Sequence, residues 1–400
     1  MRHSALLAAL VVAGCRSAAI EPESANSRYL FVWAGDADRQ HSDFLAVIDA
    51  DPANRSYGSV MTTLPVGAIG TRPHHSEHEM PAGGVLWVNG FDSGRTFRID
   101  LRAPDRPRLA GSFGDAGPYS HPHSYARLPN GNVLATFQRS GGHHATGGLV
   151  ELDTAGRMVR ATSAASAADS GIRPYSLAIL PRLDRVVTTA TDMHLETRSR
   201  AVQIWRLSDL ALLQTIMLPP GPSGDAGRMT AEPRVLADGR TVLVNTFTCG
   251  LYLLQGLDRE TVTAEWIYST PWEQPPFCAL PVVAGNWWIQ ASNPDHSVVT
   301  LDVSDPRRVR VANRMVLAPD EVPHWIALEP NGKRIVITGY GAMLSRLLLA
   351  RLDRATGAIV VDSQFTTPGA TLPGIDFNRE TWPHGATGRA IPHGAVFSRP

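Results

Sequence analysis

The 400-residue sequence has no excess of charge of either sign. Its 37 Lys and Arg residues balance 37 Asp and Glu residues, so the formal net charge is zero at pH 7. Such a chain lacks the basic patch or stripe with which proteins bind DNA, RNA or an anionic membrane surface. Nucleic acids are therefore not expected among its partners.

Cysteine is scarce, and one of the three cysteines stands at the end of a short apolar run. That run, Ala5 to Gly14, is much shorter than the roughly 20 residues of a membrane-spanning helix. It ends in Val12-Ala13-Gly14-Cys15, which resembles a bacterial lipobox and predicts a lipoprotein signal peptide over residues 1–15, with Cys15 lipidated. An ordinary secretory signal cut nearby is the alternative. Residues 16–27 then form a flexible tether, and the protein is extracytoplasmic (periplasm or cell envelope), with a lipid anchor as its only membrane contact.

Only Cys249 and Cys278 remain for the folded part, residues 28–400. In an oxidising compartment they can pair as a structural disulfide. The functional alternative is a thiol pair that handles sulfur or selenium.

Several common catalytic patterns are also missing. No GxSxG nucleophile elbow occurs, and the glycine-rich stretches lack phosphate-loop spacing. No long segment has the 3.6-residue period of a helix. These absences disfavour α/β-hydrolase and nucleotide-binding folds and leave an all-β chain.

The sequence instead contains a repeat of a short strand, a turn and a β-branched strand. Its copies begin 46 to 56 residues apart. Each is followed by alternating segments such as TFRIDL and VQIWRL, so a unit holds four strands, as a propeller blade does. The six copies are HSEHEMPAGGVLWV from His75, HSYARLPNGNVLATF from His123, YSLAILPRLDRVVTT from Tyr175, AEPRVLADGRTVLVN from Ala231, FCALPVVAGNWWIQ from Phe277 and HWIALEPNGKRIVIT from His324.

The two ends of the chain supply a seventh unit. HGAVFS from His393 is another first strand, and RYLFVWAG, DFLAVIDAD and GSVMTTLPV are three strands that lack one. The prediction is a seven-bladed β-propeller closed by one C-terminal and three N-terminal strands, which hides the edges of the ring. Residues 366–390 are then a long insertion before the last strand.

This register places four histidines at one repeat position. His75, His123, His324 and His393 belong to blades 1, 2, 6 and 7, which are adjacent once the ring closes, and all first strands begin on the same face. Neutral imidazole is a common ligand of copper, zinc, iron and nickel, so these four residues are the predicted metal ligands. His74 is the alternative to His75 as the ligand from blade 1, because the register is not fixed to one residue. The further candidates, as ligands or as polar groups that orient them, are Glu77, His78, His121, Glu232 and His384.

Motifs across most of the chain after Tyr29 resemble the selenium-binding protein/methanethiol oxidase family. They are DFLAVIDADP, LPVG, PHHSEHE, HPHSYARLPNGNVLAT, GGLVELD, PHWIALEPNGKRIVIT and PHGAVF. The resemblance implies a seven-bladed propeller and a metal-dependent oxidase, with copper the expected metal, that converts methanethiol and oxygen to formaldehyde, hydrogen sulfide and hydrogen peroxide. It supports His74/His75, His123 and His393 as residues near the site. The family's Cys-x-x-Cys after the His-His-Ser step is absent here, where EHEMPAGG stands, and family members do not regularly have a histidine at the position of His324.

Three hypotheses follow. The first is a metal-dependent oxidase of a small thiol, with copper, iron or zinc as candidate ions. The second is a propeller that binds a metal or a sulfur or selenium species without turnover. The third is a structural propeller whose channel histidines only pack.

Overall fold

In a computed structural model, the chain folds into seven small antiparallel sheets arranged in a ring. The structure describes residues 25–141, 145–169, 172–194, 196–222, 224–270, 277–293, 295–339 and 346–400. The only helix in these ranges is a 3₁₀ turn, Pro181–Leu183. None of their helices is both long and apolar enough to cross a bilayer. The expected signal peptide, Cys15 and most of the expected tether lie outside the described residues, whereas Ser27 is buried against Glu329 and Ser398.

Blade 7 confirms the predicted closure. The chain begins with β1 (Tyr29–Asp36), β2 (Ser42–Asp49) and β3 (Val60–Ile69), and it ends with β30 (Gly388–Phe397). β30 is the innermost strand and pairs antiparallel with β1. The two ends of the chain therefore share one sheet, and no blade edge is left open at the junction.

The other six blades each contain four consecutive strands, from the axis outward. Blade 1 contains β4 (Pro73–Ser76), β5 (Val85–Gly90), β6 (Arg95–Asp100) and β7 (Arg108–Phe113). Blade 2 contains β8 (Tyr119–Arg127), β9 (Val133–Ser140), β10 (Ala145–Leu152) and β11 (Met158–Ser163). Blade 3 contains β12 (Pro174–Leu180), β13 (Arg185–Ala190), β14 (Ala201–Arg206) and β15 (Leu212–Met217). Blade 4 contains β16 (Thr230–Val235), β17 (Val242–Thr246), β18 (Gly250–Gln255) and β19 (Thr263–Ser269). Blade 5 contains β20 (Cys278–Ala284), β21 (Trp287–Ser292), β22 (Ser297–Asp302) and β23 (Arg310–Val316). Blade 6 contains β24 (Pro323–Leu328), β25 (Arg334–Gly339), β26 (Arg346–Leu352) and β27 (Ile359–Val361).

The predicted insertion at residues 366–390 packs on neighbouring blades. It contains two short strands, β28 (Ile375–Asp376), which pairs with β26, and β29 (Asn378–Arg379), which pairs with the start of β30. Phe365, Phe377 and Trp382 in and beside it are buried in the core shared by blades 6 and 7. The insertion thus covers part of the last blade with apolar side chains.

Every innermost strand has a bulge near its start. The pairing of inner and second strand shifts register at the same point in all seven blades. A bulge re-aims side chains, since it breaks the strict alternation of a strand. In six blades this bulge holds the residue that the sequence repeat assigned to the first strand. In blade 5 that assignment was wrong, because the bulge holds Ala279 and Leu280 and Phe277 precedes the strand.

Second-strand polar side chains hold the bulges in place. Asn89 Oδ1 accepts a hydrogen bond from the backbone N–H of His75 at 2.6 Å, and Asn89 Nδ2 donates to the backbone oxygens of Pro122 and His123 in the next blade. Thr136 and Asn245 make the same kind of bridge, from blade 2 to blade 3 and from blade 4 to blade 5. Because these groups are buried, each bridge satisfies backbone atoms that the bulge removes from the ladder.

Candidate metal centre

Five histidines meet at the mouth of the central channel. The four predicted residues His75, His123, His324 and His393 are joined by His74, and none of the five is more than 3% exposed. Ring centroids lie 4.2 Å apart for His75 and His123, 4.3 Å for His74 and His393, and 4.8 Å for His324 and His393. The predicted sector of blades 6, 7, 1 and 2 therefore forms one continuous cluster.

His74 lies at the centre of this cluster. Its ring contacts those of His75, His123 and His393, and its Nδ1 is hydrogen-bonded to His393 Nε2 at 3.0 Å. One ligand atom each from His74, His75 and His123 lies within 4.8 Å of the others, which suits a shared ion after small shifts. His74 and His75 are thus joint members of the cluster, and the bulge in β4 is the reason both rings reach it.

The hydrogen bonds of His123 determine which of its ring nitrogens can bind a metal. Nδ1 lies 2.7 Å from the backbone oxygen of Tyr175, so Nδ1 must carry the proton and donate it. Nε2 is then the unprotonated nitrogen, and it is buried with no hydrogen-bond partner among the described residues. A backbone carbonyl that fixes the far side of an imidazole is the usual arrangement around a metal ligand.

Burial keeps the imidazoles of the cluster neutral. It lowers the pKa of His123 and of His324 to about 3, and it holds the pKa of His74, His75 and His393 well below the usual value. Neighbouring histidines lower the pKa of His74, His75 and His393 further, because two positive rings would repel each other. At neutral pH the rings therefore offer lone pairs, as transition metals require.

Residues that the sequence did not single out support the cluster. Tyr175, the blade 3 equivalent of His123, has its hydroxyl 3.2 Å from His75 Nε2, and Ser124 Oγ lies 3.0 Å from His75 Nδ1. Tyr175 is fully buried and also contacts the His123 ring at 4.1 Å. The repeat could have indicated Tyr175, because it stands at the same position as the four histidines.

The side of the mouth opposite the histidines is apolar. Phe247 stacks on Phe277 at 4.7 Å, and the Phe277 ring lies nearly parallel to that of His324 at 6.1 Å. Cys249 and Cys278 form a disulfide beside these two phenylalanines, and the backbone N–H of Cys278 donates to the Phe247 oxygen. The structural alternative for this cysteine pair is the one realised, and the free thiol pair is not present in this structure.

The further candidates lie outside the cluster. Glu77 forms an ion pair with Arg127 and accepts a hydrogen bond from the backbone N–H of Trp87. His78 stacks on Trp325, 6.3 Å from the His75 ring, and its Nε2 lies 3.8 Å from Glu232, which pairs with Arg234. The His121 ring contacts that of Phe91, with 5.7 Å between the ring centroids.

His384 does not have the role proposed for it. Its ring packs on Phe44 and its Nδ1 is hydrogen-bonded to Thr63 Oγ1, on the outer strands of blade 7. His384 belongs to the insertion between β29 and β30, which packs it against these strands and not beside the innermost ones. The sequence PHGA occurs at both His384 and His393, and only the second belongs to an innermost strand.

Comparison with known proteins finds a sequence relative for part of the chain and a similar fold for nearly all of it. A methanethiol oxidase from Hyphomicrobium sp is 32% identical over 139 residues, which is 33% of this chain and 31% of that protein. A solved structure of a hypothetical selenium-binding protein from Sulfolobus tokodaii superposes with a TM-score of 0.77 at 14% identity, covering 94% of both chains. The chain is thus similar in sequence to a methanethiol oxidase over a third of its length, and in fold to a selenium-binding protein over nearly all of it.

The sequence likeness covers only part of each chain, and the fold occurs in other proteins as well. The aligned segment spans about a third of the length of the methanethiol oxidase, and no family model matches the chain. A periplasmic gluconolactonase from Pseudomonas aeruginosa also superposes, with a TM-score of 0.65 at 13% identity over 93% of this chain and 99% of that one. At such identities the structural likeness shows the seven-bladed fold alone.

Proposed function

We propose that this selenium-binding protein/methanethiol oxidase relative is a metal-dependent oxidase of a small thiol such as methanethiol, with copper as its metal. The observation that carries the proposal is the buried cluster of five neutral imidazoles, centred on His74. His123 Nε2, unprotonated and without a hydrogen-bond partner among the described residues, supports metal ligation most directly. The donor set is all nitrogen, which suits copper, iron or zinc.

The residues of the chain would hold the ion and shape the space beside it. His74, His75 and His123 are the first candidates for ligands, and His393 and His324 complete the sector. A bound ion would lower the pKa of a thiol substrate and provide a route for electrons to oxygen. His75 would bind the ion through Nδ1 and give up its contact with Ser124, while the Tyr175 hydroxyl holds Nε2. The carbonyl of Tyr175 orients His123.

The apolar wall supports a small thiol as substrate. Phe247, Phe277 and Tyr175 lie against the histidines, so a ligand bound there has an imidazole side and an aromatic side. A methyl group gains free energy on burial against such rings, at about 25 cal/mol per Å² of apolar surface removed from water. The reaction balances as methanethiol, oxygen and water giving formaldehyde, hydrogen sulfide and hydrogen peroxide.

Oxygen uptake and metal content, measured together, test the proposal. The full chain should bind about one copper ion and consume oxygen with methanethiol, and His123→Ala should lose most of both. His384→Ala is the matched control, because it removes an imidazole outside the cluster and should keep both. Uptake that persists in His123→Ala, or a wild-type chain without metal, would refute the proposal.

A non-catalytic carrier of a metal or of a sulfur or selenium species is the second candidate. The nearly complete burial of all five histidines favours it, since a carrier needs no open position at the ion. Stoichiometric copper without oxygen uptake in the same assay would select the carrier.

We also propose an extracytoplasmic location with a lipid anchor at Cys15. The Cys249–Cys278 disulfide supports this proposal, because such bonds persist mainly in oxidising compartments. Expression in a bacterial host, followed by fractionation and mass measurement of the mature N-terminus, tests it. An unlipidated N-terminus would reject the anchor.

A further inference from the structure

A second pair of histidines lies just outside the buried cluster. His121, near the start of β8, and His194, after β13, have ring centroids 6.1 Å apart. His194 has 37% of its side chain exposed, so solvent reaches this pair. His121 has a φ of 59°, a left-handed conformation that non-glycine residues seldom adopt, and its ring packs near Gly94.

Phe91 contacts both the outer pair and the inner cluster. Its ring is fully buried, with centroids 5.7 Å from His121 and 5.4 Å from His194. Its centroid also lies 5.8 Å from that of His123 and 6.1 Å from that of His74. The Phe91 ring therefore contacts both the solvent-accessible outer histidines and the buried inner ones.

The charges around this ring form ion pairs. Burial and then positive charge lower the pKa of His194, and the carboxylates of these pairs offset part of that positive charge. Arg72, whose guanidinium lies 5.8 Å from the Phe91 centroid, forms an ion pair with Asp92, as does Arg39. Arg139 forms ion pairs with Asp192 and Glu196, and Asp192 Oδ1 is also 4.0 Å from His194 Nδ1. The carboxylates beside the outer pair are therefore at least as numerous as the cations.

We infer that His121 and His194 form an outer capture site for a divalent transition-metal ion, which then passes Phe91 to His123 and His74. Imidazole is a good ligand for copper, nickel and zinc, and two rings with a nearby carboxylate bind such ions reversibly. Transfer from one imidazole to the next keeps the ion ligated while it leaves water, which avoids the large cost of burying a bare charge. The inference rests on the proposed inner metal site and adds a route to it.

The rate of metal loading tests the inference separately from the amount loaded. Apo full-length protein is mixed rapidly with Cu²⁺, binding is followed by the copper absorption band, and final copper content is measured. The double variant His121→Ala/His194→Ala should load about tenfold more slowly and reach the same inner occupancy. His194→Gln, at an exposed position that does not endanger folding, should slow loading in the same direction.

His41→Ala is the matched control, because it removes another exposed imidazole, from the β1–β2 loop of blade 7. It should load at the wild-type rate. Equal loading rates in wild type and both His194 variants would overturn the inference and leave the inner site standing. Lower final occupancy in the double variant would also overturn it, because the pair would then belong to the inner site. A wild-type chain that binds no copper would refute the proposed function itself.

Discussion

Asn89 Oδ1 accepts a hydrogen bond from the backbone N–H of His75 at 2.6 Å, and the amide of the same side chain donates to the backbone oxygen of His123. One fully buried residue therefore sets the spacing of two histidine-bearing strands from neighbouring blades. Asn245 makes the equivalent bridge between blades 4 and 5, where Glu232 and Ala279 replace the histidines.

This equivalence yields a prediction with an internal control. Asn89→Ala and Asn245→Ala should each lower the free energy of unfolding by about 1–3 kcal/mol, because each leaves buried backbone groups unsatisfied. Only Asn89→Ala should also weaken metal binding, by about tenfold or more, since it alone releases the histidine strands. Chemical denaturation and copper titration measure the two effects. Equal loss of copper affinity in both variants would mean that the bridge acts only through global stability.

Tyr175 provides a second prediction. Tyr175→Phe keeps the ring against His123 but removes the hydroxyl that lies 3.2 Å from His75 Nε2. Copper affinity should fall by about tenfold, because the His75 ring loses a group that orients it. Tyr125→Phe is the control: it also removes a buried hydroxyl, one bonded to Thr96 in blades 1 and 2. If the two variants bind copper equally well, Tyr175 does not orient the site.

The disulfide gives a third prediction. Cys249 and Cys278 are separated by 29 residues, so Cys249→Ala/Cys278→Ala should lower the free energy of unfolding by about 3–4 kcal/mol through the restored freedom of the unfolded chain. Copper content should remain near one ion per chain, because neither cysteine belongs to the histidine cluster. Thermal unfolding and metal analysis measure both. Loss of the copper with the fold intact would give this cysteine pair a place in the site.

The sequence predicted the ring well because a propeller repeats. A strand placed correctly in one blade fixes its equivalents in the others, and this brought His75, His123, His324 and His393 to one rim. Strand alternation, by contrast, sends successive side chains to opposite faces. From the sequence alone, either His74 or His75 could therefore be the residue whose ring reaches the cluster, but not both. The bulge in β4 removes that choice, and no sequence signal for the bulge was strong enough to foresee it.

The parts that the sequence missed depend on contacts between blades. Phe91 follows β5 of blade 1 but contacts imidazoles from blades 1, 2 and 3. His384 has the same local sequence as His393, and only the path of the insertion separates the two. Contacts between residues of different blades form only when the ring closes, whereas the sequence repeat predicts the strands within each blade.

X-ray absorption at the copper edge of the copper-loaded full chain tests the central claim most directly. The structure predicts three or four imidazole nitrogens at about 2.0 Å and no sulfur ligand, as expected for a site built from the inner histidines. A first shell of sulfur or of oxygen alone, or a protein that retains no copper, would contradict the account.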